Sequence, residues 1–211
     1  MSDAIADRRE QWPVDTSKTM FEGKVVALRQ DIVRSPVDGA TFARDVVVHP
    51  GAVAIVALDK QDQVLVVSQY RHPVGHRLTE LPAGLRDVEG EPPLLAAQRE
   101  LYEEGHIRAA DWRVLVDVFS SPGMTDEAVR VYLARGITHV PDDERHQGEH
   151  EEADMPTSWV PLAELVRAVL SGKVQNALLS VGVLAAWSAH HDGGYDALRG
   201  PDAAWSAVEP S

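Results

Sequence analysis

The stretch GLRDVEGEPPLLAAQRELYEEGHI, residues 84–107, gathers six acidic side chains around one short apolar pattern. At about 100° per residue, Leu94, Ala97 and Leu101 fall on one stripe of a helix and should pack inward. The Pro-Pro pair at 92–93 predicts where the helix begins, because proline suits a first helical turn. The segment is therefore predicted to be a loop followed by an amphipathic helix.

Three of the acids, Glu100, Glu103 and Glu104, crowd into the end of this helix. Glu100 and Glu104 are an i,i+4 pair, and such like charges cost about 0.2–0.5 kcal/mol on a solvated helix. Glu103 lies within ion-pair reach of Arg99. A hard divalent cation such as Mg²⁺ would offset the repulsion, because it prefers carboxylate oxygens. Glutamate pairs are also common on exposed helices, so the helix alone leaves both interpretations open.

Composition narrows the class of protein. The chain has 211 residues, 44% of them hydrophobic, which is most simply one domain with a sizeable core. The formal charge of −13 argues against nucleic acid, and a phosphorylated substrate would need bound cations to reverse the local sign. There is no cysteine, and no apolar run approaches the length of about 20 residues that spans a bilayer. With a polar N-terminus that does not resemble a secretory signal, these features predict a cytoplasmic protein without a membrane partner.

Alternation of β-like runs with three helical patterns predicts a mixed α/β chain. Residues 51–58 and 63–70 form two β-rich runs with a connection of hairpin length. Two later helices are expected at about 161–170 and 177–190. The predicted organisation is a flexible arm (1–16), an N-terminal β-rich region (17–49), a catalytic domain (50–191) and a loose C-terminal tail (192–211).

The acidic segment resembles the Nudix signature, in which a glycine, a glutamate and an Arg-Glu-apolar-x-Glu-Glu helix build a metal site. Gly84 opens the motif, Glu91 fills the first acidic position, and residues 99–104 fill the helix. Six residues rather than five separate Gly84 from Glu91. His106 stands where the signature has glycine, and Gly105 is expected to adopt the positive φ in its place.

Further motifs resemble the ADP-ribose pyrophosphatase branch of the Nudix family, in its actinobacterial type. The similarity spans roughly residues 20–190. The segments that carry it are Tyr70-Arg71-His72-Pro73, Glu80-Leu81-Pro82-Ala83-Gly84, Ser121-Pro122-Gly123 and Glu151-Glu152-Ala153-Asp154.

The resemblance implies a Nudix-type α/β/α sandwich with a mixed sheet and a small N-terminal β-rich dimerisation region. It implies Mg²⁺, with Mn²⁺ as an alternative, and a homodimer with exchanged N-terminal strands. The metal ligands it implies are Glu100, Glu104 and the backbone carbonyl of Ala83, with Glu103 and Glu152 near a further ion. Arg99 would hold the acids in place.

The catalytic base should approach from outside the helix. Glu152 is the first candidate and Glu151 the second, although an acidic run of this kind is also typical of a solvated loop. Arg71 could pair with a phosphate, or form an ordinary surface ion pair. Glu127 could accept hydrogen bonds from ribose hydroxyls, or be a plain exposed acid. Arg44 is predicted to reach substrate across a subunit boundary.

The function implied is Mg²⁺-dependent hydrolysis of the pyrophosphate linkage of ADP-ribose, or a related ADP-sugar, to AMP and a sugar phosphate. One alternative is a Nudix hydrolase of another nucleoside diphosphate sugar or of an oxidised nucleotide. A second alternative is a non-catalytic nucleotide-sensing module. The acids Glu100 and Glu104 favour the enzyme, since a sensing module has no need of a metal-holding pair.

Overall fold

The computed structural model describes residues 5–144 and 155–206. The described residues form two compact units, one of residues 5–50 with 121–127 and one of residues 51–120 with 128–144 and 155–206. The strands are β1 (Val14–Glu22), β2 (Ala27–Arg34), β3 (Thr41–Val48), β4 (Ala52–Ala57), β5 (Gln63–Arg71), β6 (His76–Glu80), β7 (Ala83–Leu85), β8 (Ile107–Arg108), β9 (Asp111–Phe119), β10 (Ala128–Arg135), β11 (Thr138–His139) and β12 (Thr157–Pro161). The helices are α1 (Pro93–Gly105), α2 (Leu162–Leu170) and α3 (Ala177–His191).

The first unit is an antiparallel sheet in the order β1-β2-β3. β1 begins at Val14, inside the segment predicted to be a flexible arm, because its backbone pairs with β2 from Val14 onward. All nine residues of β1 are exposed. The loop 121–127 belongs to this unit through hydrogen bonds with Val47, whose N–H donates to the Met124 carbonyl.

The second unit contains a mixed sheet in the order β7-β4-β10-β9, in which β10 runs parallel to β4 and the other pairs are antiparallel. A second sheet has the order β12-β5-β6, and β8 pairs with β11. The β-rich runs 51–58 and 63–70, although a hairpin-length connection joins them, enter different sheets. An isolated bridge between Leu58 and Val64 links them.

β4 lies at the centre of the core, with all six of its residues buried. Val53 and Ile55 face the cluster that contains Ala97 and Leu101 of α1. Alternate residues of β4 face the cluster that contains α2 and α3. A strand buried on both faces between helices is the arrangement of an α/β/α sandwich, so the predicted sandwich with a mixed sheet is confirmed, while the dimerising role of the N-terminal region stays a prediction.

The three predicted helices are confirmed at 93–105, 162–170 and 177–191. None of the helices in the described ranges is long and apolar enough to cross a bilayer. The prediction of a loose tail is wrong for the residues that the structure describes. Residues 195–205 pack on β9 and β10. The aromatic rings of Tyr195 and Trp205 are thereby buried, and these residues are 7% and 4% exposed.

Candidate active site

Helix α1 places its acidic end against the backbone of β7. Pro92 caps the helix and Pro93 is its first residue, as expected from the fixed φ of proline. Ala96, Ala97 and Leu101 bury the inward stripe, which fixes the rotation of the helix. The same rotation turns Glu100 inward, to 9% exposure.

Gly84 makes room for the Glu100 carboxylate. A Cβ at position 84 would lie 2.0 Å from Cδ of Glu100 and 2.1 and 2.4 Å from its two oxygens. No side chain other than hydrogen can therefore occupy this position while Glu100 keeps its place. Gly84 does not have a positive φ, so backbone conformation does not require a glycine here. The requirement comes from the close approach of the Glu100 carboxylate to the backbone of β7.

Glu104 also contacts β7. Its carboxylate accepts a hydrogen bond of 3.0 Å from the backbone N–H of Ala83. A carboxylate that accepts a backbone N–H is held more tightly than one in a solvent-exposed ion pair. Glu100 and Glu104, one helical turn apart, therefore both contact the backbone of β7, Glu100 at Gly84 and Glu104 at Ala83. We describe the two carboxylates as seated on β7 in this sense.

Arg99 connects the remaining acids. Its guanidinium donates to both oxygens of Glu91, at 3.2 and 3.0 Å, and to Glu100 at 2.5 Å. A longer contact of 3.4 Å joins it to Glu103, so the predicted ion pair is confirmed. These hydrogen bonds, with Glu91 the largest contributor, raise the pKa of Arg99. The contact with Glu91 attaches the end of the signature loop, just before α1, to the middle of the helix.

The cluster is strongly anionic and has the donor set of a hard-cation site. Glu91, Glu100, Glu103 and Glu104 against Arg99 leave a formal charge of −3. Carboxylate oxygens on a rigid helix, one of them buried against a glycine, are the ligands that Mg²⁺ or Mn²⁺ prefers. Across residues 5–144 and 155–206, no three His, Cys, Asp or Glu side chains are already gathered around one point for a metal. Instead, Glu91, Glu100 and Glu103 each form an ion pair with Arg99, and Glu104 accepts a hydrogen bond from the Ala83 N–H.

His106 corrects one expectation. The residue has φ 51° and ψ 37°, so the left-handed position at the helix end is taken by His106 and not by Gly105. Gly105 is the last residue of α1 and does not have a positive φ. A glycine is needed there for its small size, because a Cβ would lie 2.8 Å from Cδ2 of Leu65. The His106 N–H donates to the Tyr102 carbonyl, which closes the last turn.

Arg71 forms a bidentate ion pair with Glu80, at 2.9 and 2.8 Å. The Glu80 side chain is 4% exposed and that of Arg71 is 43% exposed, so a buried carboxylate orients a half-exposed guanidinium. The sequence motif Glu80-Leu81-Pro82-Ala83-Gly84 contains Glu80 but assigns it no role. Its role was missed because the pair joins two strands, β5 and β6, whose register is not readable from spacing.

Arg44 and Glu127 lie in the first unit. Arg44 stacks over Phe42, with its Cζ 4.2 Å from the ring centroid, and donates to the Ala43 carbonyl. Glu127 lies 3.6 Å from Nδ1 of His49. The predicted bases Glu151 and Glu152 lie outside the described residues.

Comparison with known proteins identifies the class. The model of the NUDIX domain matches residues 48–178, so the chain belongs to the Nudix hydrolase family. The chain is 52% identical over 170 residues to the ADP-ribose pyrophosphatase of Mycobacterium tuberculosis, covering 81% of this chain and 80% of that protein.

Two further likenesses agree with this family. An ADP-ribose pyrophosphatase of Bacillus subtilis is 34% identical over 158 residues, which cover 75% of this chain and 83% of that protein. A solved structure described as an ADP compounds hydrolase superposes with a TM-score of 0.74 at 18% identity, covering 90% of this chain and 99% of that chain. At that identity the superposition supports the fold alone. Enzymes of this kind use a divalent metal, and the carboxylates on α1 fit one.

Proposed function

We propose that this protein hydrolyses the pyrophosphate linkage of ADP-ribose in a Mg²⁺-dependent reaction, releasing AMP and a sugar phosphate. One water is consumed: its oxygen bonds to one phosphorus while the bridging P–O bond breaks. The single observation that carries the proposal is the seating of Glu100 and Glu104 on the backbone of Ala83 and Gly84. The relatives named ADP-ribose pyrophosphatase support the substrate.

Glu100 and Glu104 would hold the cation, with the Ala83 carbonyl as a third ligand and Glu103 toward a second ion. When bound, Mg²⁺ supplies positive charge to the pyrophosphate oxygens, which otherwise repel an incoming water. Arg99 keeps the carboxylates in position through its bonds to Glu91 and Glu100. A cluster of formal charge −3 can in this way serve an anionic substrate.

Glu152 would take the proton from the attacking water, with Glu151 as the second choice. The support for this role is the resemblance of the Glu-Glu-Ala-Asp run to the late acidic loop of the family. A carboxylate on a loop can approach the pyrophosphate from the side opposite the helix. The same resemblance makes Glu152 a proposed ligand of a further cation.

Substrate contacts are proposed for three residues. Arg71 is held by Glu80 in a fixed orientation, which favours bidentate pairing with a phosphate. Glu127 would accept hydrogen bonds from ribose hydroxyls, and Arg44 would reach a substrate held by a partner subunit. The proposed homodimer exchanges N-terminal strands, and it is supported by large apolar side chains exposed on β1, Met20 at 51% and Phe21 at 62%. A cytoplasmic location stays a prediction.

The test is a panel of nucleotides, each incubated with and without Mg²⁺ or Mn²⁺ and scored for product by chromatography. The panel holds ADP-ribose, another ADP-sugar, a nucleoside diphosphate sugar with a different base, and an oxidised nucleotide. We expect metal-dependent AMP release, fastest with ADP-ribose. A faster reaction with the nucleoside diphosphate sugar that carries a different nucleobase would instead support the alternative substrate class. Binding without turnover of any compound would favour the sensing module.

A further inference from the structure

Residues 195–205, here called the C-terminal strap, are attached to the central sheet of the second unit. The strap's carbonyl oxygens accept hydrogen bonds from the backbone N–H of Val114, the guanidinium of Arg130 and the hydroxyl of Tyr132. Arg130 is 2% exposed and also forms a bidentate pair with Asp117, at 2.7 and 3.0 Å. A segment with this many sheet contacts is a fixed part of the unit.

Trp205, at the end of the strap, has two guanidinium groups close to its ring. The Cζ atoms of Arg130 and Arg86 lie 4.8 and 5.1 Å from the centroid of its ring. Both distances are within the range of a cation–π interaction, which strengthens when the groups lose water. Partial burial lowers the pKa of Arg86. Its buried Nε has no hydrogen-bond partner among the described residues, and the Trp205 ring lies within cation–π distance of the same guanidinium.

Arg86 is the residue that follows β7. Its backbone N–H donates to the Gly51 carbonyl at 3.1 Å, continuing the pairing of β7 with β4. Two residues before Arg86, within β7, a Cβ at Gly84 would have no room against the Glu100 carboxylate. A displacement of the end of β7 would therefore be transmitted to the acids seated on it.

We infer that Trp205 is a positioning residue for the metal site: it holds Arg86, and through Arg86 the end of β7 on which Glu100 and Glu104 are seated. The inference rests on the proposed function for the role of the two acids. It places a contribution to metal affinity at the far end of the chain, outside residues 48–178 that the family model matches.

The test compares Trp205→Leu, which removes the aromatic face and keeps an apolar but smaller side chain, with the conservative Trp205→Phe. Mg²⁺ and Mn²⁺ binding is measured by calorimetry without substrate, and the Mg²⁺ dependence of AMP release is measured separately. Loss of a residue that hydrogen-bonds to a metal ligand typically weakens metal affinity about 10- to 100-fold, and for the more distant Trp205 we expect about 3- to 10-fold in Trp205→Leu. Trp205→Phe should recover most of the affinity, and turnover at saturating Mg²⁺ should stay close to the parent's.

A double-mutant cycle with Arg86→Leu tests the route. If Trp205 acts through Arg86, the double variant should bind metal no more weakly than the weaker single variant. A double loss equal to the product of the two single losses would overturn the inference, as would unchanged affinity in Trp205→Leu. Should Trp205→Leu not fold, Arg86→Leu carries the test, and parental metal affinity there would overturn it. Because calorimetry needs no substrate, a parent that binds Mg²⁺ but cleaves no ADP-ribose would contradict the proposed function alone.

Discussion

Gly84→Ala should disable the site through a single methyl group. The new Cβ would lie 2.0 Å from Cδ of Glu100, whereas ordinary contacts begin at 3.4 Å. The carboxylate or β7 must therefore move by about 1.4 Å, the difference between these two distances. Misplacement of about 1 Å can cost about 100-fold in rate, so turnover at saturating Mg²⁺ should fall by about that factor. The atoms that the new Cβ meets are the far end of the flexible Glu100 side chain, so the carboxylate can turn aside and the free energy of unfolding should fall by no more than about 1 kcal/mol.

The assay is Mg²⁺-dependent AMP release from ADP-ribose, combined with a thermal melt to show that the variant is folded. Gly200→Ala is the matched control, because a Cβ at position 200 meets nothing within 4 Å and its backbone is not in the left-handed region. The control should behave like the parent. If Gly84→Ala folds and keeps the parent's turnover and metal affinity, the reasoning is refuted, because the position of the Glu100 carboxylate against Gly84 would then not matter for activity.

The remaining predictions concern single side chains. Glu104→Gln keeps an oxygen that can accept from the Ala83 N–H but removes the charge, so turnover should fall at least about 100-fold with an unchanged melt. Activity close to the parent's would refute the metal assignment. Glu152→Gln should lower kcat with little change in KM; an unchanged kcat would move the base to Glu151. His106→Gly removes a left-handed histidine with φ 51° and should raise unfolding free energy by about 1 kcal/mol, or Tm by about 2–4 °C. A lower Tm would mean that the ring contributes more than its backbone costs.

Much of the site could be predicted from the sequence because its determinants are local. The helix, its start at Pro93 and its inward stripe follow from proline geometry and 3.6-residue periodicity. The ion pair between Arg99 and Glu103 follows from i,i+4 spacing. The Nudix signature then ties these residues to a metal, which no periodicity could do.

What could not be predicted depends on contacts between distant segments. The seat of Glu100 on Gly84 requires the distance between β7 and α1, and the pairing of Arg71 with Glu80 requires the register of two strands. The packed strap was missed because its glycine, alanine and proline content is also typical of a loose tail. The prediction that Gly105 has the positive φ was wrong, because that conformation belongs to His106. Gly105 is a glycine for another reason, its close packing against Leu65, which the sequence does not show.

Arg99 explains how the acidic cluster can fold before any cation arrives. Glu91 and Glu100 are largely buried, with side chains 15% and 11% exposed, so their charges are poorly screened by water. A neighbouring guanidinium within hydrogen-bond distance compensates part of this repulsion and fixes the loop to the helix. It supplies only one positive charge against four negative ones, so a substantial negative potential remains for divalent cations. One arginine therefore stabilises the fold and still leaves a net negative charge at the site. A site that binds divalent cations needs such a charge.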